Sequence, residues 1–128
     1  MIYVDTSVIL AELLVEDRRP HPALFEDPLV SSRLLQYETW TNVTGRGLAD
    51  SHGERARELL GQVAMLELLP EVLARALEPF PVAVRTLDAI HVASLEFLRA
   101  RGEVVKLATF DERMLAVARK LRIPLARV

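Results

Sequence analysis

A chain of 128 residues is long enough for one domain around one sizeable core and too short for a separate regulatory module. Its hydrophobic share of 51% against only 5% aromatic residues describes a core of Leu, Val, Ala and Ile rather than stacked rings. The absence of cysteine excludes disulfides and thiolate metal sites and suits a reducing cytoplasm, while a net charge of −2 excludes a globally basic nucleic-acid footprint.

Ile2–Val4 is a short apolar run that stops at Asp5, and apolar residues then recur at helical spacing over 8–14, which predicts strand, tight turn, helix. That opening meets a charge too early for a secretory leader, and no stretch nears the roughly 18 apolar residues of a membrane span, so a soluble protein is expected. Pro20, Pro22 and Pro28 bracket a short helix at most. Leu29 and Val30 make a second strand leading into Ser31 and Ser32, either of which can cap a helix from about Arg33 to the Gly45/Gly47 break. A further helix is expected over 52–63, a third strand over 65–69, and a helix over 71–77 before the break at Pro79 and Pro81. Thr86 is the expected cap of a long helix ending at Gly102; residues 104–108 form a strand, Asp111 opens the last helix, and 123–125 closes the chain as a strand. The alternation predicts an α/β fold with a mostly parallel sheet, free of repeats and linkers.

Four acids stand where a strand ends or a helix turns inward: Asp5, Glu38, Asp88 and Asp111. A parallel sheet gathers the C-terminal ends of its strands along one edge, so acids distant in sequence can converge there. Two charges about 5 Å apart repel by roughly 3 kcal/mol at an effective dielectric near 20, so such a cluster calls for protons or cations, and a divalent-metal site is the central expectation. Each position has a plainer explanation beside it. Asp5 fits a helix N-cap, with Thr6 and Ser7 following it. Glu38 shares the inward face of Leu34 and Leu35, so it either snorkels out beside Tyr37 and Trp40 or reaches a cation, with Asn42 one turn on. Asp88 suits the first turn of its helix, where a negative charge offsets the dipole; His91, one turn later, is expected to pack or hydrogen-bond rather than ligate metal. Thr109 and Glu112 have capping-box spacing, which makes Asp111 electrostatic support, and Glu112 is an alternative ligand.

Carboxylate oxygens suit octahedral Mg²⁺ or Mn²⁺, one or two per site, and such ions activate water for in-line attack on a phosphodiester. Arg46, Arg85 and Arg113 lie near the acids in sequence and are candidate phosphate contacts, whereas Arg55 and Arg57 read as a solvated helix face. Tyr37 and Trp40 either stack on a base or pack in the core. An aspartyl-phosphate phosphatase, which wants an acid two residues beyond Asp5, is disfavoured by Ser7 in that place.

Val4-Asp5-Thr6-Ser7, the serines 31 and 32 followed by Glu38, the stretch Arg85-Thr-Leu-Asp88-Ala-Ile-His91-Val-Ala and Ala108-Thr-Phe-Asp111 together resemble the PIN-domain ribonucleases, most closely the VapC-type toxins of toxin-antitoxin pairs. The resemblance implies a three-layer α/β/α fold, a homodimer, and an Mg²⁺- or Mn²⁺-dependent endoribonuclease cutting RNA and restrained by a cognate antitoxin. It assigns Asp5, Glu38, Asp88 and Asp111 to the acidic set and Thr6, Ser7 and Thr109 to the nearby hydroxyls, with Glu112 competing for the fourth acidic place. The alternative is a catalytically silent module of the same fold that receives a partner's basic segment in its acidic pocket.

Overall fold

In a computed structural model that describes residues 1–128, four strands form one sheet: β1 (Ile2–Val4), β2 (Leu29–Ser32), β3 (Val63–Leu66) and β4 (Lys106–Ala108). Their order is β3-β2-β1-β4 and every pairing is parallel, with Ile2 opposite both Leu29 and Lys106. All of β1 and β2 is buried, as a central parallel strand with both faces covered requires. The chain moves outward from β1 through β2 to β3 and then returns to β4 on the opposite side. The order therefore reverses at β1, and the crevice beyond the C-terminal ends of β1 and β4 is the topological switch point where such sheets place their sites.

One sheet face carries Ile2, Val4, Leu29 and Val63, covered by α1 (Thr6–Leu13), α2 (Leu34–Gly45) and α3 (Ala49–Gly61) through Val8, Ile9, Leu35 and Leu60. The other carries Tyr3, Val30 and Leu107, under Val92 and Leu95 of one long helix and Met114 and Val117 of the last one. Between the two sets in sequence, α4 (Pro70–Ala76) packs on the long helix, α5 (Thr86–Ala100); the last helix is α6 (Glu112–Lys120). The result is the expected three-layer α/β/α sandwich with a wholly parallel sheet. No helix is long and apolar enough to cross a membrane.

Several boundaries differ from expectation for physical reasons. The third strand starts at Val63 rather than 65 and ends at Leu66, because Leu69 already turns into the Pro70 start of α4. The helix before it begins at Ala49 rather than His52. Residues 123–125 form no strand; only a single bridge joins Leu125 to Leu107, beside Pro124, which has no N–H to extend a ladder. Val104 is 80% exposed and lies outside β4, which starts at Lys106. Thr86 is the first residue of α5 rather than its cap: Arg85 occupies the cap position, with no side-chain cap bond. The proline-bracketed segment is a 3-10 turn, Pro22–Glu26.

Candidate active site

Asp5 follows the last residue of β1 in extended conformation and precedes α1, yet its side chain makes no cap bond to that helix. Its Oδ2 instead accepts hydrogen bonds from Ser7 Oγ at 2.7 Å and from Thr109 Oγ1 at 2.8 Å. The capping explanation therefore fails for this acid. Both hydroxyls have their proton direction fixed by the main chain behind them, since Phe110 N donates to Ser7 Oγ at 3.0 Å and Asp111 N donates to Thr109 Oγ1 at 2.9 Å. Ser7, in the first turn of α1, and Thr109, the first residue after β4, thus lock Asp5 across the switch point. Oδ1 of the same carboxylate accepts nothing from the protein.

Asp88 stands in the first turn of α5 with its side chain 16% exposed. Its Oδ2 is buried and has no hydrogen-bond partner; Arg85 Nε, 3.9 Å away, is too distant to donate to it, and that guanidinium is 72% exposed. Burial pushes the Asp88 carboxyl above the usual carboxylate range, and the charges of Asp111 and Asp5 push it further, only partly offset by a backbone hydrogen bond and the charge of Arg85. The charges of Asp5 and Asp111 therefore reach Asp88 across the cleft. Asp111 caps α6, its Oδ1 accepting from Arg113 N at 2.8 Å, so the cap is Asp111 itself and not a Thr109–Glu112 box.

Glu38 behaves differently from the other three. Its Oε1 accepts from Thr6 Oγ1 at 2.8 Å and lies 2.6 Å from His91 Nε2, whose Nδ1 lies 2.7 Å from Tyr3 Oη. Thr6 and the buried His91 together hold Glu38 from behind. His91 was expected to hydrogen-bond, but Tyr3 carried no expectation at all. The available signal was a phenol inside an otherwise aliphatic buried strand, since a buried tyrosine hydroxyl almost always finds a polar partner.

All seven expected residues, Asp5, Thr6, Ser7, Glu38, Asp88, Thr109 and Asp111, meet at this edge of the sheet, and the four acids line one open cleft of about 470 Å³. Two other hollows, of about 480 and 770 Å³, hold no such cluster, so chemistry rather than size singles out this one. Asp111 lines the cleft and Glu112 does not. Tyr37 stands on its rim, 63% exposed. Trp40 packs into the core beneath the Arg57 guanidinium, which lies 5.2 Å from the ring centre. Arg46, Arg85 and Arg113 are exposed.

The expected quartet is gathered into one cleft but not into one coordination shell: no three Asp, Glu or His side chains lie close enough to enclose an ion unaided. The donor set nonetheless fits a small hard cation. Oxygen atoms line the cleft, Asp88 Oδ2 is a buried carboxylate oxygen with no donor, and Mg²⁺ or Mn²⁺ is commonly held by one or two carboxylates while it keeps several waters.

The PIN domain family matches this chain over residues 2–120. The chain is 31% identical over 123 residues to Ribonuclease VapC46 of Mycobacterium tuberculosis (strain ATCC 25618 / H37Rv), a match spanning 94% of this chain and 92% of that protein. It is 30% identical over 130 residues to Ribonuclease VapC47 of Mycobacterium tuberculosis (strain CDC 1551 / Oshkosh), again spanning 94% and 92%. No solved structure matches at comparable significance.

Proposed function

The chain belongs to the PIN-domain family, and from that premise we propose that it is a divalent-metal-dependent endoribonuclease that hydrolyses RNA phosphodiester bonds as the toxin of a toxin-antitoxin pair. The observation that carries the reading is the convergence of Asp5, Asp88 and Asp111 on one cleft, with Asp88 Oδ2 buried and lacking a donor. One or two of Asp5, Asp88 and Asp111 would hold Mg²⁺ or Mn²⁺ directly and the rest through its waters, with Glu38 facing the same cleft. Bound there, the ion supplies Lewis acidity toward phosphate and lowers the pKa of a coordinated water.

The chain's own residues do the rest. Ser7 and Thr109 fix the rotamer of Asp5, leaving Oδ1 without a protein donor, so the carboxylate needs no reorientation when a cation arrives. A positive charge in the cleft would offset the repulsion that Asp111 and Asp5 exert on Asp88. Arg85, exposed beside Asp88, would meet a phosphate next to the scissile one. A cognate antitoxin and a second copy of the chain are the protein partners of this reading, and a cytoplasmic location accords with it. A catalytically silent module is not favoured, because both relatives named above are ribonucleases.

The test is direct. Purified, partner-free protein should cleave RNA only with Mn²⁺ or Mg²⁺, and Asp5→Asn should abolish both cleavage and the Mn²⁺-induced rise in melting temperature. An Asp5→Asn variant that cuts as well as the parent would place the site elsewhere.

A further inference from the structure

Behind the cleft lies a file of polar groups that the reading above does not use. Tyr3, in the middle of β1, is fully buried, and His91 of α5 is 1% exposed, their rings edge to face with centres 5.8 Å apart. One assignment of protons satisfies every group in the file. Ser32 N, at the end of β2, donates to Tyr3 Oη at 3.1 Å, so the phenol accepts there and has its own proton to give. His91 Nδ1 lies 2.7 Å from that hydroxyl and takes its proton in this assignment. The two serine hydroxyls of this region give their protons to carbonyls, Ser31 Oγ to Val4 O and Ser94 Oγ to Ile90 O, each at 2.7 Å. With Nδ1 accepting, the imidazole proton sits on Nε2 and points at Glu38 Oε1, 2.6 Å away. Thr6 Oγ1 donates to the same oxygen at 2.8 Å. Both protein hydrogen bonds to this carboxylate therefore fall on Oε1, and Oε2 has none, although the Glu38 side chain is 20% exposed to the cleft.

We propose that Tyr3 and His91 are positioning residues: together they form a buried strut that runs from the main chain of β2 to Glu38, fixes His91 as the Nε2–H tautomer, and presents Glu38 Oε2 to the divalent cation of the cleft. The inference rests on the metal-dependent reading given above and extends it to two residues that touch neither ion nor RNA. The strut explains why a full carboxylate is tolerated on the inward face of α2. It also explains why β1, whose other residues are aliphatic, carries a tyrosine. Donors aligned in one direction polarise each other, so each bond in the file reinforces the next. Groups that orient a ligating side chain from behind change metal affinity by roughly tenfold to a hundredfold when removed.

The experiment has two arms. In the parent without metal, ¹⁵N resonances of the His91 ring should show Nδ1 as an unprotonated acceptor and Nε2 as protonated; the opposite tautomer would overturn the proposal. In the second arm, Mn²⁺ affinity is measured by electron paramagnetic resonance for parent, Tyr3→Phe, His91→Ala and His91→Gln. Tyr3→Phe and His91→Ala should weaken Mn²⁺ binding by about tenfold or more, while His91→Gln, which keeps an N–H donor, should recover most of the loss. Rescue by glutamine separates positioning from packing, since a merely structural histidine gives no such recovery. If Tyr3→Phe does not fold, the two His91 variants and the tautomer decide the matter alone. Parental Mn²⁺ affinity in folded His91→Ala would sink the strut even if the parent cuts RNA. A parent that shows the tautomer and the affinity losses but no cleavage would uphold the strut and sink the nuclease.

Discussion

Replacing Asp88 with asparagine should stabilise the metal-free protein while removing its response to metal. The carboxylate is held under three adverse influences: partial burial, the charges of Asp111 and Asp5, and an Oδ2 with no donor. Two charges across a narrow cleft repel by about 1–2 kcal/mol per pair at an effective dielectric near 20 or somewhat above, and a buried oxygen without a partner costs about 1–3 kcal/mol. The amide removes the repulsion but leaves an imperfectly satisfied polar group, so a net gain of about 1–2 kcal/mol is expected, or roughly 3–8 °C in melting temperature for a chain of this length. The sign with pH follows from the raised pKa of Asp88. The penalty is fully present above that raised value, shrinks as pH falls through it, and is gone below the ordinary carboxylate range, so the advantage of Asp88→Asn should close on acidification. With Mn²⁺ at about 100 times its dissociation constant the parent should gain about 2.7 kcal/mol and the variant far less, which reverses their order. Scanning calorimetry in EDTA and in Mn²⁺ reads both effects. A variant less stable than the parent in EDTA, or one that gains as much from Mn²⁺, would refute the view of Asp88 as a strained cation ligand.

Three further outcomes follow from the same geometry. Thr109→Val removes both the donor to Asp5 and the acceptor for Asp111 N, and should cost about 1–3 kcal/mol in urea unfolding while lowering kcat more than it raises KM. Arg85→Ala, at an exposed position, should leave stability in EDTA within about 0.5 kcal/mol but raise KM for RNA and flatten the salt dependence of binding by about one unit of slope. Leu107→Ala, in the buried middle of β4, should cost about 2–5 kcal/mol by denaturant unfolding, since the helices packed over it cannot close the cavity.

Asp5 and Asp111 were legible as site candidates because each follows a short apolar strand, and a parallel sheet brings those strand ends together whatever lies between them in sequence. The order of elements was legible because proline and glycine breaks mark most boundaries other than the strand-to-helix turns at Asp5, Arg33 and Asp111. What one sequence does not carry is the pairing of side chains from different elements. Tyr3 and His91 are separated by 88 positions, and only the packing of α5 over β1 reveals that the phenol meets the imidazole. Asp5 likewise had a helix cap as its plainer explanation, which only the claim of Ser7 and Thr109 on its oxygen removes. Residues 123–125 read as a strand because Ile and Leu flank Pro124, but the proline leaves room for only a single bridge.

The central proposition, that the acids at the switch point work by binding a divalent ion, is tested most directly by anomalous diffraction from crystals grown with Mn²⁺. A manganese peak in the cleft, coordinated by oxygens of Asp5 and Asp88 and absent from Asp5→Asn crystals, is the predicted result. RNA-cleaving protein whose manganese lies away from those carboxylates, or binds equally well after Asp5→Asn, would contradict it.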